Sequence, residues 1–200
     1  MKTGAGTPIL DASVEATRRA SDLCTRDAPR TANRARILAW LAEGAREVTW
    51  ALCSLPPDRW AAPPPARLSH WPALRHARHV ALRQAHVLLP TVRQALGEAG
   101  ADTELLSPPE LEQADAAWAL TSAEDIVRGF GETRFELLQR LEAAPDEAWE
   151  AVEWPLLNAR QHELEHAAAI WRIALNWDRV SRTATPGVPL HPADRLEESH

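Results

Sequence analysis

The chain has 200 residues, 45% hydrophobic and 25% charged, with a net charge of −6 and basic residues scattered among acids. That is enough for one domain with a sizeable core, and it argues against a nucleic-acid surface, which needs a clustered basic face. No run of ~18 apolar residues offers a membrane span. The N-terminal MKTGAGTPILDASVEA lacks the apolar region of a signal peptide, and Cys24 and Cys53 form no CxxC, so a cytoplasmic location with reduced thiols is expected.

Ala, Leu, Glu and Arg dominate, which favours helix. Residues 1–30 read as an N-terminal extension in which Ala16, Ala20 and Leu23 could support a short helix after Asp11 or Ser13. From Thr31, the spacing of Leu38, Leu41, Ala45, Val48 and Leu52 predicts a first helix, stopped by Leu55-Pro56-Pro57. A proline-dense loop, PPDRWAAPPPARLSHWP, leads to Trp71-Pro72, where a second helix opens. Leu74, Ala77, Ala81, Ala85, Leu88, Val92 and Leu96 give that helix its apolar stripe to about Gly97, with a kink expected at Pro90. Residues 97–120 read as a long connection containing the acidic stretch TELLSPPELEQAD. Thr121 and Glu124 read as a capping box for a third helix carrying Ile126, Val127, Phe130, Leu137 and Leu141, ended by Pro145. Pro155 should open a fourth helix running to about Trp177, followed by a tail over residues 179–200.

Four such helices predict an all-α fold, a four-helix bundle over residues 31–178. The connection of ~24 residues can cross the bundle and leave helices two and three parallel, in an up-down-down-up order with short links elsewhere.

The fourth helix carries the chemistry. His162 and His166 stand i, i+4 on a line with Ala159, Ala169, Ile170, Ile173 and Trp177. Both imidazoles then aim the same way from successive turns, as a shared metal ion requires. A second apolar line, Leu164, Ala168, Trp171 and Leu175, implies burial on both sides, in a bundle or at a homodimer surface. The letters His162-Glu163-Leu164-Glu165-His166 also spell HExxH, the zinc-protease signature. Glu165 places a charge where those enzymes keep an uncharged pair, and no strand-rich segment exists to hold a substrate. Glu163 and His166 make one ExxH, but a di-iron site needs a second, which is missing.

The second helix reads Trp71-Pro72-Ala73-Leu74-Arg75-His76-Ala77-Arg78-His79. A tryptophan at the helix start, a histidine eight residues on and a HxxxH pair in the fourth helix together resemble the DinB/YfiT-like family of four-helix metalloproteins. The resemblance covers roughly residues 31–178. It implies a divalent metal (zinc, nickel or iron(II)) held by His79, His162 and His166, with His76 a substitute that only the family spacing disfavours. It also implies that the protein is an enzyme activating a low-molecular-weight thiol, in the manner of an S-transferase, or a water. The resemblance assigns no catalytic side chain beyond the ligands.

Three neutral imidazoles leave the ion its full charge and open positions, as in catalytic sites. Asn158, Glu163 and His86 are the residues expected to orient or flank the ligands. The alternative is a non-catalytic bundle that binds a metal, ligand or partner. One geometric tension stands: His79 lies ~150° around helix two from its apolar stripe, on a line of Arg75, Leu82, His86 and Leu89.

Overall fold

The computed structural model describes residues 30–101 and 105–184. It divides into two compact units, Met1–Ile37 and Leu38–His200. Of the first, the described part is the opening of one helix, where Arg36 donates to Asn33 Oδ1 at 2.6 Å. Everything below concerns the second. The short helix expected around Ala16 to Leu23, Cys24 and the tail beyond residue 184 lie outside the described residues.

Every regular element among the described residues is helical. In chain order they are α1 (Arg30–Cys53), a short α2 (Pro57–Trp60), α3 (Ala73–Arg83) running through a π turn (Gln84–Leu88) into α4 (Leu89–Ala95), α5 (Pro108–Ala116), a 3₁₀ turn (Trp118–Leu120), α6 (Ala123–Ala143) and α7 (Asp146–Ala184). None is long and apolar enough to cross a membrane.

The expected distortion of the second helix is present, but it takes the form of a π turn just ahead of Pro90. Leu89 N–H reaches back five residues to Gln84 O, widening the helix before the proline ring arrives. Pro90 has no N–H for the carbonyl of His86. That carbonyl accepts instead from Leu106 N–H, 3.1 Å away in the following connection. α4 then ends on Gly97, at φ 73°, with Gly97 N–H on Gln94 O and Glu98 N–H on Arg93 O, a Schellman turn that glycine makes possible.

The connection over 97–120 is not the plain link expected. Ser107-Pro108-Pro109-Glu110 starts α5, and the Glu110 carboxylate reaches back to accept from Ser107 N–H at 2.8 Å. The cap of α6 falls one residue later than the sequence pattern indicated: Ser122 Oγ accepts from Asp125 N–H at 3.1 Å. α7 begins nine residues before Pro155, which sits inside the helix. Ala151, whose carbonyl loses its donor to that proline, is exposed, so water can supply the missing bond.

Val48 and Leu52 of α1, Leu74, Ala77 and Val80 of α3, Ile126 and Phe130 of α6, and Ile170 and Ile173 of α7 form one buried cluster. Beside it lies a buried polar knot. The Arg134 guanidinium on α6 pairs with Glu163 of α7 and donates to Gln84 Oε1 at 2.5 Å and to Leu41 O at 2.7 Å. Gln84 in turn donates to Phe130 O at 2.9 Å. Within the single chain, the second apolar line of α7 is left largely open. Leu164, Ala168 and Leu175 are exposed and Trp171 is half-buried, its indole N–H donating to Glu47 Oε1 at 2.6 Å.

Candidate metal centre

α3 and α7 pass antiparallel and put four histidines against one another. His79 Nε2 lies 3.2 Å from His162 Nε2, which lies 3.2 Å from His166 Nε2. One ligand atom from each of these three residues falls within 4.8 Å of the others. Bonds of ~2.1 Å to one ion require nitrogens roughly 3.0–3.4 Å apart for bond angles between a right angle and the tetrahedral one. The two nitrogen pairs are spaced accordingly, and the donor set suits a borderline cation such as zinc, nickel or iron(II) rather than magnesium or calcium.

His79 reaches this cluster because α3 is covered nearly all round; none of its residues is exposed. α7 and α5 cover the line of Arg75 and His79 that sequence periodicity left without a partner. Asp115, buried on α5, places Oδ1 3.5 Å from His79 Nδ1, while its Oδ2 accepts from Arg75 Nη2 at 3.1 Å. Arg78 holds the end of α5 in place, donating to Ala114 O at 2.6 Å and to Thr121 Oγ1 at 3.0 Å. The carboxylate thus stands behind His79 and favours a proton on Nδ1, leaving Nε2 free for a metal.

His76 is the other residue that the sequence left ambiguous. It is no substitute for His79: both its nitrogens are engaged away from the shared point. Nδ1 lies 2.8 Å from His166 Nδ1, and Nε2 lies 2.8 Å from Ser69 Oγ, which also accepts from Trp71 N–H at 3.0 Å. If His166 offers Nε2 to an ion, its proton sits on Nδ1 and is donated to His76 Nδ1. The His76 proton then sits on Nε2 and goes to Ser69. The Trp71 ring lies over this arrangement, its centroid 5.4 Å from His76, 5.3 Å from His79 and 6.0 Å from His166. The Arg75 guanidinium carbon lies over the same ring, 4.2 Å from its centroid.

Burial holds the imidazoles neutral, the form that binds metal. It pushes His76 down to about 3, helped by neighbouring His166 and His79. It pushes His162 to about 3 and His166 to about 4. His79 is lowered for the same reason, against the pull of Asp115.

The three residues expected to flank the ligands go elsewhere or stay at the edge. Glu163 points away from the rings into the Arg134 pair, so it orients no imidazole directly. Asn158 is exposed at the rim of a cavity that also reaches His162. His86 lies in the π turn, two turns from His79, and its backbone carbonyl is what the structure uses. Asp115 and Ser69 were missed. The Ser107-Pro-Pro-Glu110 cap is the signal that would have shown a helix carrying Asp115; nothing in the pattern around Ser69 marks it.

The cavity beside His162 has a volume of about 110 Å³ and is walled by Val80, Val87, Leu88 and Pro155, with Arg83 among its polar residues. A wider groove of about 930 Å³, lined by Trp50, Leu164 and Trp171, includes none of the histidines. Compared with known protein families, characterised proteins and solved structures, the chain has no match.

Proposed function

We propose that His79, His162 and His166 hold one divalent metal ion, and that the protein is a DinB-like metal-dependent enzyme acting on a small molecule through a low-molecular-weight thiol or a water. The observation that carries this is the meeting of three neutral ring nitrogens from α3 and α7 at spacings one ion can bridge. The family's four-helix arrangement would consist of α1, α3 with α4, α6 and α7. Contacts that rise together along α3 and α6, from Arg78 with Thr121 to Gln84 with Phe130, support a parallel pair there. Those that run oppositely along α3 and α7 support the up-down-down-up order.

When bound, such an ion would lower the pKa of a thiol or water at its open positions and supply a nucleophile at neutral pH. The residues around it have separate tasks. Asp115 and His76 fix the tautomers of His79 and His166. Trp71 keeps water off one side of the ligands. The cavity at His162 gives a small substrate its way in. A protease reading of His162-Glu163-x-x-His166 finds no support, because Glu163 is buried against Arg134 and turned away from any water it would have to activate.

The test begins with metal content of untagged protein purified without chelator. About one ion per chain is expected, lost in His162→Ala. A chromogenic electrophile offered with a panel of bacterial thiols then separates enzyme from binder. Retained metal with no turnover would favour the non-catalytic binding module, and absence of metal from wild-type protein under supplementation would remove the proposal altogether.

A further inference from the structure

The cavity at His162 has one charged resident without a partner among the described residues. Around the site Arg75 is paired with Asp115, Arg78 with Thr121 and backbone carbonyls, and Arg134 with Glu163, Gln84 and Leu41. Arg83, one turn beyond His79 on α3, is half-buried in the cavity wall and makes no hydrogen bond or ion pair with a described residue. A guanidinium that gives up part of its hydration without a partner costs free energy unless something else satisfies it. It shares that wall with His162, so the guanidinium borders the same space as one of the three ligands.

The other polar groups of the cavity sort in the same direction. Gln84 is spent on Arg134 and Phe130, and Thr91 Oγ1 donates to Val87 O at 2.6 Å. Glu163, the one carboxylate in the wall, is paired with Arg134 through Oε1, and its Oε2 lies against Gly44 of α1. Besides the His162 ring itself, that leaves Arg83 and the exposed amide of Asn158 as donors on the space, beside ligands that would contribute no negative charge to balance an ion. The remaining wall (Val80, Val87, Leu88, Pro155, Ala159) is aliphatic.

Resting on the metal reading above, we infer that this cavity takes a small molecule bearing a carboxylate, gripped by Arg83 with Asn158 at the rim. Its short aliphatic body lies along Val80, Val87 and Leu88, and its reactive end points to the three-histidine cluster. A planar fork of N–H donors matches a carboxylate with two parallel hydrogen bonds, and the positive site supplies the long-range attraction. The carboxylate can belong to the thiol or to its reaction partner.

The experiment uses full-length protein loaded with cobalt(II), whose visible bands report the coordination of the ion without any turnover. Two pairs of probes are titrated: mercaptoacetate against 2-mercaptoethanol, then propionate against propionamide in the presence of 2-mercaptoethanol. The charged member of at least one pair should bind ~10-fold or more tightly than the neutral one, as a charge-assisted pair allows. A preference in the first pair assigns the carboxylate to the thiol; a preference confined to the second assigns it to the partner. Arg83→Gln should keep the cobalt bands and lose the preference, and Arg83→Lys should keep part of it. No preference in wild-type protein overturns the inference, and so does a preference unchanged in Arg83→Gln, which would mean that the ion alone holds the carboxylate. Absence of cobalt bands in wild-type protein overturns the metal reading, and the inference with it. Bands without preference overturn the inference alone.

Discussion

Replacing His76 by phenylalanine tests whether the site is held from behind. The substitution keeps a ring of similar size in a buried position but removes the acceptor 2.8 Å from His166 Nδ1 and the donor 2.8 Å from Ser69 Oγ. With a metal on Nε2, His166 must keep its proton on Nδ1, and in the variant that N–H faces a hydrocarbon edge. An unmet buried donor costs about 1–3 kcal/mol. The metal-free protein escapes most of that cost, because its imidazole can move the proton to the other nitrogen. The penalty therefore falls on the bound state, and zinc affinity should drop by about 10–100-fold, the range typical when a partner behind a metal ligand is lost. Competition against a chromogenic chelator at pH 7 measures this, with thermal unfolding of the metal-free protein as the control. Ser69→Ala, one bond further out, should cost less. An affinity unchanged within about twofold would refute the orienting role, and complete loss of binding would make His76 itself a ligand.

Other perturbations follow from the same geometry. Asp115→Asn leaves a hydrogen-bond acceptor behind His79 but removes its charge, so metal affinity should fall by roughly tenfold, read in the same competition assay. In metal-free protein the folded-state values of His76, His162 and His166 lie below the unfolded value of 6.5, at about 3, 3 and 4. As pH falls below 6.5, the unfolded chain therefore takes up protons that the folded one refuses. Stability should be full above that pH and decline towards pH 4, with His76 contributing up to about 1.4 kcal/mol per pH unit. Urea unfolding at pH 7 and pH 5 that gave equal stability would contradict this. Gly44→Ala should destabilise by about 1–3 kcal/mol in a thermal melt despite alanine's better helix propensity, because its Cβ would collide with Glu163 Oε2 and crowd Arg160. Arg134→Met strands a buried carboxylate and should cost about 3–5 kcal/mol, much of it recovered in the double variant with Glu163→Leu.

Sequence periodicity located the long helices because each has a one-sided apolar stripe or a clear stop: Leu41 to Leu52 before the prolines, Leu74 to Val92, Ile126 to Leu141. It misjudged residues whose role depends on a neighbour far away in the chain. His79 looked misplaced only because α5 was read as a link, and α5 is the element that covers its face and brings Asp115. Pro155 looked like a helix start because a proline in a first turn and a proline inside a helix whose freed carbonyl is open to water leave the same local signal. HxxxH spacing identified two ring positions on α7. It carried no information on His76, whose function is set by Ser69 in a loop and by His166, 90 residues away.

Glu163 illustrates how a residue can matter to a site without touching it. It follows His162 directly, so on α7 the two side chains diverge by ~100°. One faces the imidazole cluster and the other the Arg134 knot. That knot reaches α1 through Leu41 O, the π turn through Gln84 and α6 through Arg134 itself. Rotating α7 enough to swing His162 away from His79 would pull a buried carboxylate out of its guanidinium partner. Gly44 on α1 lets Glu163 and Arg160 lie close against the helix backbone, so the same contact also limits how α7 can slide. The π turn supplies Gln84 at the place where Pro90 would otherwise force a break, so the irregularity in α3 and the rotational setting of α7 are parts of one device. The three ring nitrogens meet because the helices bearing them are locked by a polar knot on the adjoining face.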